Sequence, residues 1–224
     1  MKEEVTLGQT TFILVGTGHV FQESVDLVRT TILDTGPDYV ALELDSNRLR
    51  ALQSESRESP GFFQIMGMGL RMAIVGSLLS YLQNKVGQET GVFPGAEMLE
   101  AAEAAHAVGA SVVLIDQDIV ATLNRLISSF SLKDIVRILF YLLTPTKMEL
   151  GHIDSVMVDS LTEELRRVSP SAHRVLIQER DRIMARNLLS LSGTVVVVVG
   201  AGHLRGIKHN LIENYKSSQN EEMQ

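Results

Sequence analysis

Two short apolar runs, TTFILVG at residues 10–16 and TVVVVVG at 194–200, limit the fold more than any other feature of the chain. Each has the length and composition of a buried strand, and each closes on glycine. The same turn follows both: Gly16-Thr17-Gly18-His19 in one case and Gly200-Ala201-Gly202-His203 in the other.

The chain between them alternates. Residues 22–35 place Val25, Val28, Ile32 and Leu33 at helical spacing and stop at Gly36-Pro37. Residues 39–44 predict a second strand running into Glu43-Leu44-Asp45, and 47–56 a polar helix. A β-α-β-α start predicts a parallel sheet with right-handed crossovers. Pro94-Gly95 opens a helix through His106, stopped by Gly109, and residues 111–115 predict a third strand ending at Asp116. Helices are expected over 117–168, with breaks near Thr144-Pro145 and Gly151, over 171–191, and briefly after the last strand. The class is therefore α/β, a mainly parallel central sheet of at least four strands flanked by helices, with a large helical middle insertion. One domain is expected over 1–215, with its helical subdomain at about 60–90 and 117–168, and a frayed polar tail over 216–224.

Composition narrows the function. Aromatic residues are 5% of the 224-residue chain, so the core must be aliphatic. The net charge of -7 shows no basic face of the kind a nucleic-acid binder carries. The absence of cysteine excludes disulfides, zinc-thiolate sites and thiol nucleophiles. No signal-peptide pattern precedes the first strand, so a cytoplasmic or membrane-associated location is expected. Residues 61–86 predict a long apolar helix or helical hairpin, but Arg71 interrupts a membrane-spanning pattern. Gly69, Ala73, Gly76 and Ser80 share a helical face suited to close packing, either in the core or as a homodimer contact.

The paired turns locate the chemistry. In open α/β sheets ligands bind beyond the carboxyl ends of the strands, where His19 and His203 are both expected. A histidine there can ligate a metal or transfer a proton; the structural alternative is a helix cap. Glu43, whose side chain faces opposite to Leu42 and Leu44, can complete a His/His/Glu site or serve as a base, or else pair with Arg48 or Arg50. Asp116 can hold a cation or orient an arginine, whereas Asp118 reads as a helix N-cap. Glu97 reads as dipole compensation in a first helical turn. The triplet Glu179-Arg180-Asp181, bracketed by Leu176 and Ile183, puts Glu179 or Arg180 on an apolar face, as a buried ion pair or a substrate contact. His106, His152, His173 and His209 read as surface or capping residues. No G-x-S-x-G elbow or Walker-A loop occurs, and Phe21 breaks a dinucleotide fingerprint.

Taken in order, Val15-Gly16-Thr17-Gly18-His19-Val20, Ala41-Leu42-Glu43-Leu44-Asp45 with Arg48, Pro94-Gly95-Ala96-Glu97-Met98, Asp116-Gln117-Asp118-Ile119 with Arg125, Glu179-Arg180-Asp181 and Val199-Gly200-Ala201-Gly202-His203-Leu204 resemble the TraB / pheromone-shutdown (PrgY, GumN) family, to which Tiki-type metalloproteases are related. The resemblance implies a divalent-metal-dependent peptidase, manganese or cobalt rather than zinc, with His19, Glu43 and His203 as metal ligands. It also implies catalytic places for Glu43, Arg125, Glu179 and Arg180 and substrate contacts for Glu97, Arg48 and Asp116. The expected function is a metal-dependent hydrolase acting on signalling peptides, or a non-catalytic module that binds a peptide or regulates a membrane partner. Longer relatives carry a C-terminal membrane region; this sequence ends at Gln224 without one.

Overall fold

A computed structural model of the chain describes residues 1–18, 22–53, 95–131, 133–134, 137 and 155–222. The 61–86 segment, with its membrane and dimer expectations, lies outside these residues, as do His19, His152 and the breaks expected near Thr144-Pro145 and Gly151. Among the described residues no helix is long and apolar enough to cross a membrane.

Strands β1 (Lys2–Leu7), β2 (Thr10–Thr17), β3 (Tyr39–Leu42), β4 (Ser111–Leu114) and β5 (Thr194–Gly200) form one sheet in the order β1-β2-β5-β3-β4. The β2/β5, β5/β3 and β3/β4 pairs are parallel, as expected. Only β1 is antiparallel, joined to β2 through Gly8-Gln9. This fifth strand has no apolar run; Val5 and Leu7, at alternate positions, pack against the core while Lys2, Glu4 and Thr6 face out.

The valine run explains the layering. Successive side chains of a strand point to opposite faces. Val196 and Val198 meet one helical layer, α1 (Gln22–Thr35) and α3 (Ala96–Val108), with Ile13, Val15, Val40 and Leu42. Val195, Val197 and Val199 meet the other layer with Phe12, Leu14 and Ala41. That second layer holds α7 (Arg180–Leu188) and α8 (Ala201–Glu222), through Met184, Leu188, Leu204 and Ile207. All five valines are fully buried, each contributing about 1.5 kcal/mol or more from apolar burial.

The remaining helices sit at the ends: α2 (Ser46–Gln53) after β3, α4 (Ile119–Ser129) after β4, α5 (Ser155–Val168), and α6 (Pro170–His173). A π-helical turn, Arg174–Glu179, joins α6 to α7. Two expectations need correction. The last helix is long, and the polar segment from Lys216 continues it to Glu222, with Ser217 and Ser218 bonding back to the carbonyls of Glu213 and Tyr215. The helix expected across 171–191 is phased in two parts by the π-helical turn.

Candidate active site

The two motifs begin on neighbouring parallel strands, one residue out of step: Gly16 pairs with Val199, and Thr17 with Gly200. The Thr17 hydroxyl donates to the Val199 carbonyl at 3.3 Å. Gly16 is glycine because the end of β2 approaches the start of α8 closely; a Cβ there would lie 2.7 Å from Leu204 Cδ1 and 3.2 Å from Ala201 Cα.

Glu43 follows β3 by one residue. Ala41 faces the α7/α8 layer, so the two-residue period carries Glu43 to the same side. Its backbone N–H donates to the Val198 carbonyl at 3.1 Å, tying it to β5. Its Oε2 accepts the Gly200 N–H at 2.6 Å, where α8 begins, and its Oε1 accepts from Arg180 Nη2. A carboxylate at a helix N-terminus is favoured by the exposed amides. The expected alternative partners, Arg48 and Arg50, bond to other residues. Arg48 bridges Asp45 at 2.8 Å and Asp116 at 2.5 Å, and Arg50 bonds Ser46 and Asn47 within its own helix. Both belong to α2, and Arg48 joins the cluster through the Asp116 oxygen that Arg180 also reaches.

Arg180 is the hub. Its Nε and Nη2 donate to the Asp116 carboxylate, Nη2 at 2.6 Å. The other Nη2 donor reaches Glu43, and Nη1 reaches the Leu176 carbonyl at 3.1 Å and His203 Nε2 at 3.0 Å. These contacts use the full five-donor inventory of a guanidinium. Burial disfavours the Arg180 charge, but Glu43 and Asp116 outweigh it and hold the group above its ordinary value. Asp116 thus orients arginines, one of its two expected roles, and is 1% exposed in both pairs.

His203 completes the cluster. Because a guanidinium has no acceptor, Nε2 must accept from Arg180, so Nδ1 carries the proton. That proton points at Asp181 Oδ1, 2.6 Å away, and leaves Nε2 3.4 Å from Glu43 Oε1. Burial raises the Asp181 carboxyl, with the His203 hydrogen bond pulling against it. Gly206 makes this placement possible, since a Cβ there would overlap the Asp181 carboxylate.

Asp181 is the member that sequence reasoning missed. It stands on one helical stripe with Met184, Ala185 and Leu188, all buried. Phasing backward from Leu188 finds it; phasing forward from Leu176 crosses the π-helical turn and selects Glu179 or Arg180 instead.

The other nominated residues lie in varied settings. Glu179 pairs with Arg125 through two bonds of 3.1 and 3.2 Å, with Arg125 55% exposed, so these two form an outer pair. Glu97 is 1% exposed in the first turn of α3, deeper than dipole compensation requires. Asp118 is the N-cap of α4, accepting from the Val120 and Ala121 amides. Asp45 accepts the Asn47 and Arg48 amides at the start of α2, and Ile119 N–H at the start of α4. Burial works against its charge, but Arg48 and these amides hold the carboxyl below its ordinary value. His106 and His209 are exposed, as expected. His173 is instead 9% exposed, packed into the fold, and burial lowers its pKa. Together with Asp181, Ile177, Gly202 and Arg205 it lines a cavity of about 290 Å³.

Among the described residues, four carboxylates (Glu43, Asp45, Asp116, Asp181) therefore meet two guanidiniums (Arg48, Arg180) and the His203 imidazole. Carboxylates outnumber guanidiniums in this set, a balance that suits a cation. Among the described residues no group of three potential ligands is arranged to hold a metal ion; His203 and Glu43 supply two donors.

The model of the TraB/PrgY/gumN family matches residues 3–218, and the chain belongs to that family. An uncharacterised protein of Methanocaldococcus jannaschii is 34% identical over 205 residues, covering 87% of this chain and 51% of that protein. TraB domain-containing proteins of Bos taurus and Homo sapiens are each 27% identical over 231 aligned residues, 88% of this chain and 61% of theirs. The chain thus spans between 51% and 61% of the length of these relatives. Among solved structures, haem-binding ChaN of Campylobacter jejuni is similar with a TM-score of 0.37 and 13% identity, over 86% of this chain and 70% of that one.

Proposed function

We propose that this TraB/PrgY/gumN family chain is a metal-dependent hydrolase of peptide-like substrates, working at the carboxyl ends of β2, β5 and β3. One observation carries the reading. Asp181 fixes the His203 tautomer so that the Nε2 lone pair, which takes an Arg180 N–H, lies 3.4 Å from Glu43 Oε1, inside a cluster whose described members carry surplus negative charge. A carboxylate behind a histidine is the arrangement that orients metal-ligating imidazoles.

His203 Nε2 and Glu43 Oε1 are the donors that would hold a divalent ion, with His19 as the third ligand that the family resemblance implies. Such an ion supplies an activated water and polarises the scissile carbonyl. Glu43 serves as a ligand or as the general base of the cluster, with Arg180 and His203 beside Oε1. Arg180 would offer a developing oxyanion the donors that it releases from His203 and Glu43. Asp181 keeps the imidazole in one orientation throughout. Manganese or cobalt, and a signalling peptide as substrate, follow from the resemblance.

The non-catalytic peptide-binding alternative has its own observation: Arg180 bonds Glu43, Asp116 and His203 and so brings a positive charge into the cluster from within the chain. Incubating the protein with a peptide library and Mn²⁺ or Co²⁺, followed by mass spectrometry, separates the two. Metal-dependent cleavage that is abolished in His203→Ala supports the hydrolase. Peptide binding without turnover at any metal concentration supports the alternative.

A further inference from the structure

We infer that Arg180 is the resident cation of this site, and that its guanidinium must swing out before a divalent ion can be held by His203 and Glu43. This rests on the metal-dependent reading above and adds a control to it.

The argument is one of shared acceptors. Among the described residues, the side-chain donors assigned to the metal are His203 Nε2 and Glu43 Oε1, 3.4 Å apart. Arg180 donates to both, Nη1 to the imidazole at 3.0 Å and Nη2 to the carboxylate. A donor hydrogen and a metal ion cannot occupy the same lone pair. Arg180 is therefore a competitor in place, not a bystander beside the site. Its other contacts make it a strong one, since Asp116 grips Nε and Nη2 and the Leu176 carbonyl receives Nη1.

The same contacts set what the exit requires. The guanidinium is planar and rigid, so Nη1 and Nη2 leave His203 and Glu43 only as the Leu176 and Asp116 bonds on the same nitrogens give way. The Leu176 carbonyl belongs to the π-helical turn Arg174–Glu179, directly before Arg180 in the chain. π-helical turns are common at functional positions.

A ligand that needs a minor conformation binds more weakly by the fraction of molecules in that conformation. If Arg180 is withdrawn in about 1–10% of molecules, removing it strengthens metal binding by about 10–100-fold. A purely structural arginine predicts the opposite, because losing it loosens Glu43 and Asp116.

The test is Mn²⁺ binding to the full chain by titration calorimetry. Arg180→Met is expected to bind Mn²⁺ about 10–100-fold more tightly than wild type. It should also show a larger rise in Tm with Mn²⁺, because the ion replaces the missing positive charge. Glu43→Gln in the Arg180→Met background should remove the gain. Equal or weaker Mn²⁺ binding by Arg180→Met, with wild type still binding, overturns the gate and leaves the metal reading standing. No binding by either protein overturns the metal reading, and the gate with it. Should Arg180→Met not fold, Arg180→Lys replaces it. Lysine keeps the charge but lacks the planar fork that reaches both acceptors, and it too must bind Mn²⁺ more tightly than wild type for the gate to stand.

Discussion

The strands β3 and β5 are clipped together at both ends by a carboxylate, and the two clips differ. At the amino end Asp38, just before β3, accepts the Thr194 N–H at 2.7 Å in an exposed setting. At the carboxyl end Glu43, just after β3, accepts the Gly200 N–H at 2.6 Å in a buried one. The backbone is served equally well by either arrangement. Glu43 also takes Arg180, lies beside His203, and sits 6% exposed among further charges. Holding strands together requires none of this. Burying ions is costly, and a buried pair is weak evidence for stability on its own account. The contrast separates what the sheet needs from what the site needs.

Replacing each carboxylate tests that separation. Glu43→Ala leaves Arg180 short of one buried anion and should cost about 3–5 kcal/mol in urea denaturation. Asp38→Ala removes one exposed hydrogen-bond acceptor and should cost about 0.5–1.5 kcal/mol. Equal losses would mean that the Glu43 surroundings do no more than clip the sheet.

Gly206→Ala probes the same end from the helix side. The new methyl overlaps the Asp181 carboxylate, so Asp181 must shift away from His203, at about 1–3 kcal/mol for the overpacking. Nitrogen NMR of the imidazole should then lose the single Nδ1–H tautomer. An unchanged tautomer would show that Asp181 is not what fixes it.

The two ends were unequally legible in the sequence. The sheet was readable because its signal is local: TTFILVG and TVVVVVG need only their own composition to be strands. Glu43, Asp116 and Arg180 were readable because strand ends and a charge on an apolar helix face are themselves unusual. Asp181 was hidden by the change of helical phase at the π-helical turn, and His173 by a helix too short to show a buried face. Strand β1 was hidden because its stability comes from pairing with β2 and from two alternating apolar residues, not from a run of them. What depended on tertiary partners was out of reach, including the choice of Arg180 over Arg48 as the partner of Glu43.

The Asp45 charge gives the smallest test. It stands at the crowded end, but its bonds are those of an N-cap: Asn47 and Arg48 amides to Oδ1, with the Arg48 guanidinium on Oδ2. Asparagine can keep the cap but puts an NH2 where Oδ2 accepts the Arg48 guanidinium and the Ile119 N–H, so Asp45→Asn removes the ion pair, worth about 0.3–1 kcal/mol, together with one amide bond, worth about 0.5–1.5 kcal/mol. The native carboxyl lies below its ordinary value. A carboxyl depressed in the folded state stabilises fully above its unfolded pKa, about 3.9, and loses that contribution as pH falls through the folded value. Wild type should therefore exceed Asp45→Asn by a constant margin from pH 7 to about pH 5, with the margin shrinking below about pH 4. A margin that instead persists undiminished below pH 3 would assign the loss to the amide bonds rather than the charge, and would make the Asp45 end resemble the Asp38 clip more than the Glu43 cluster.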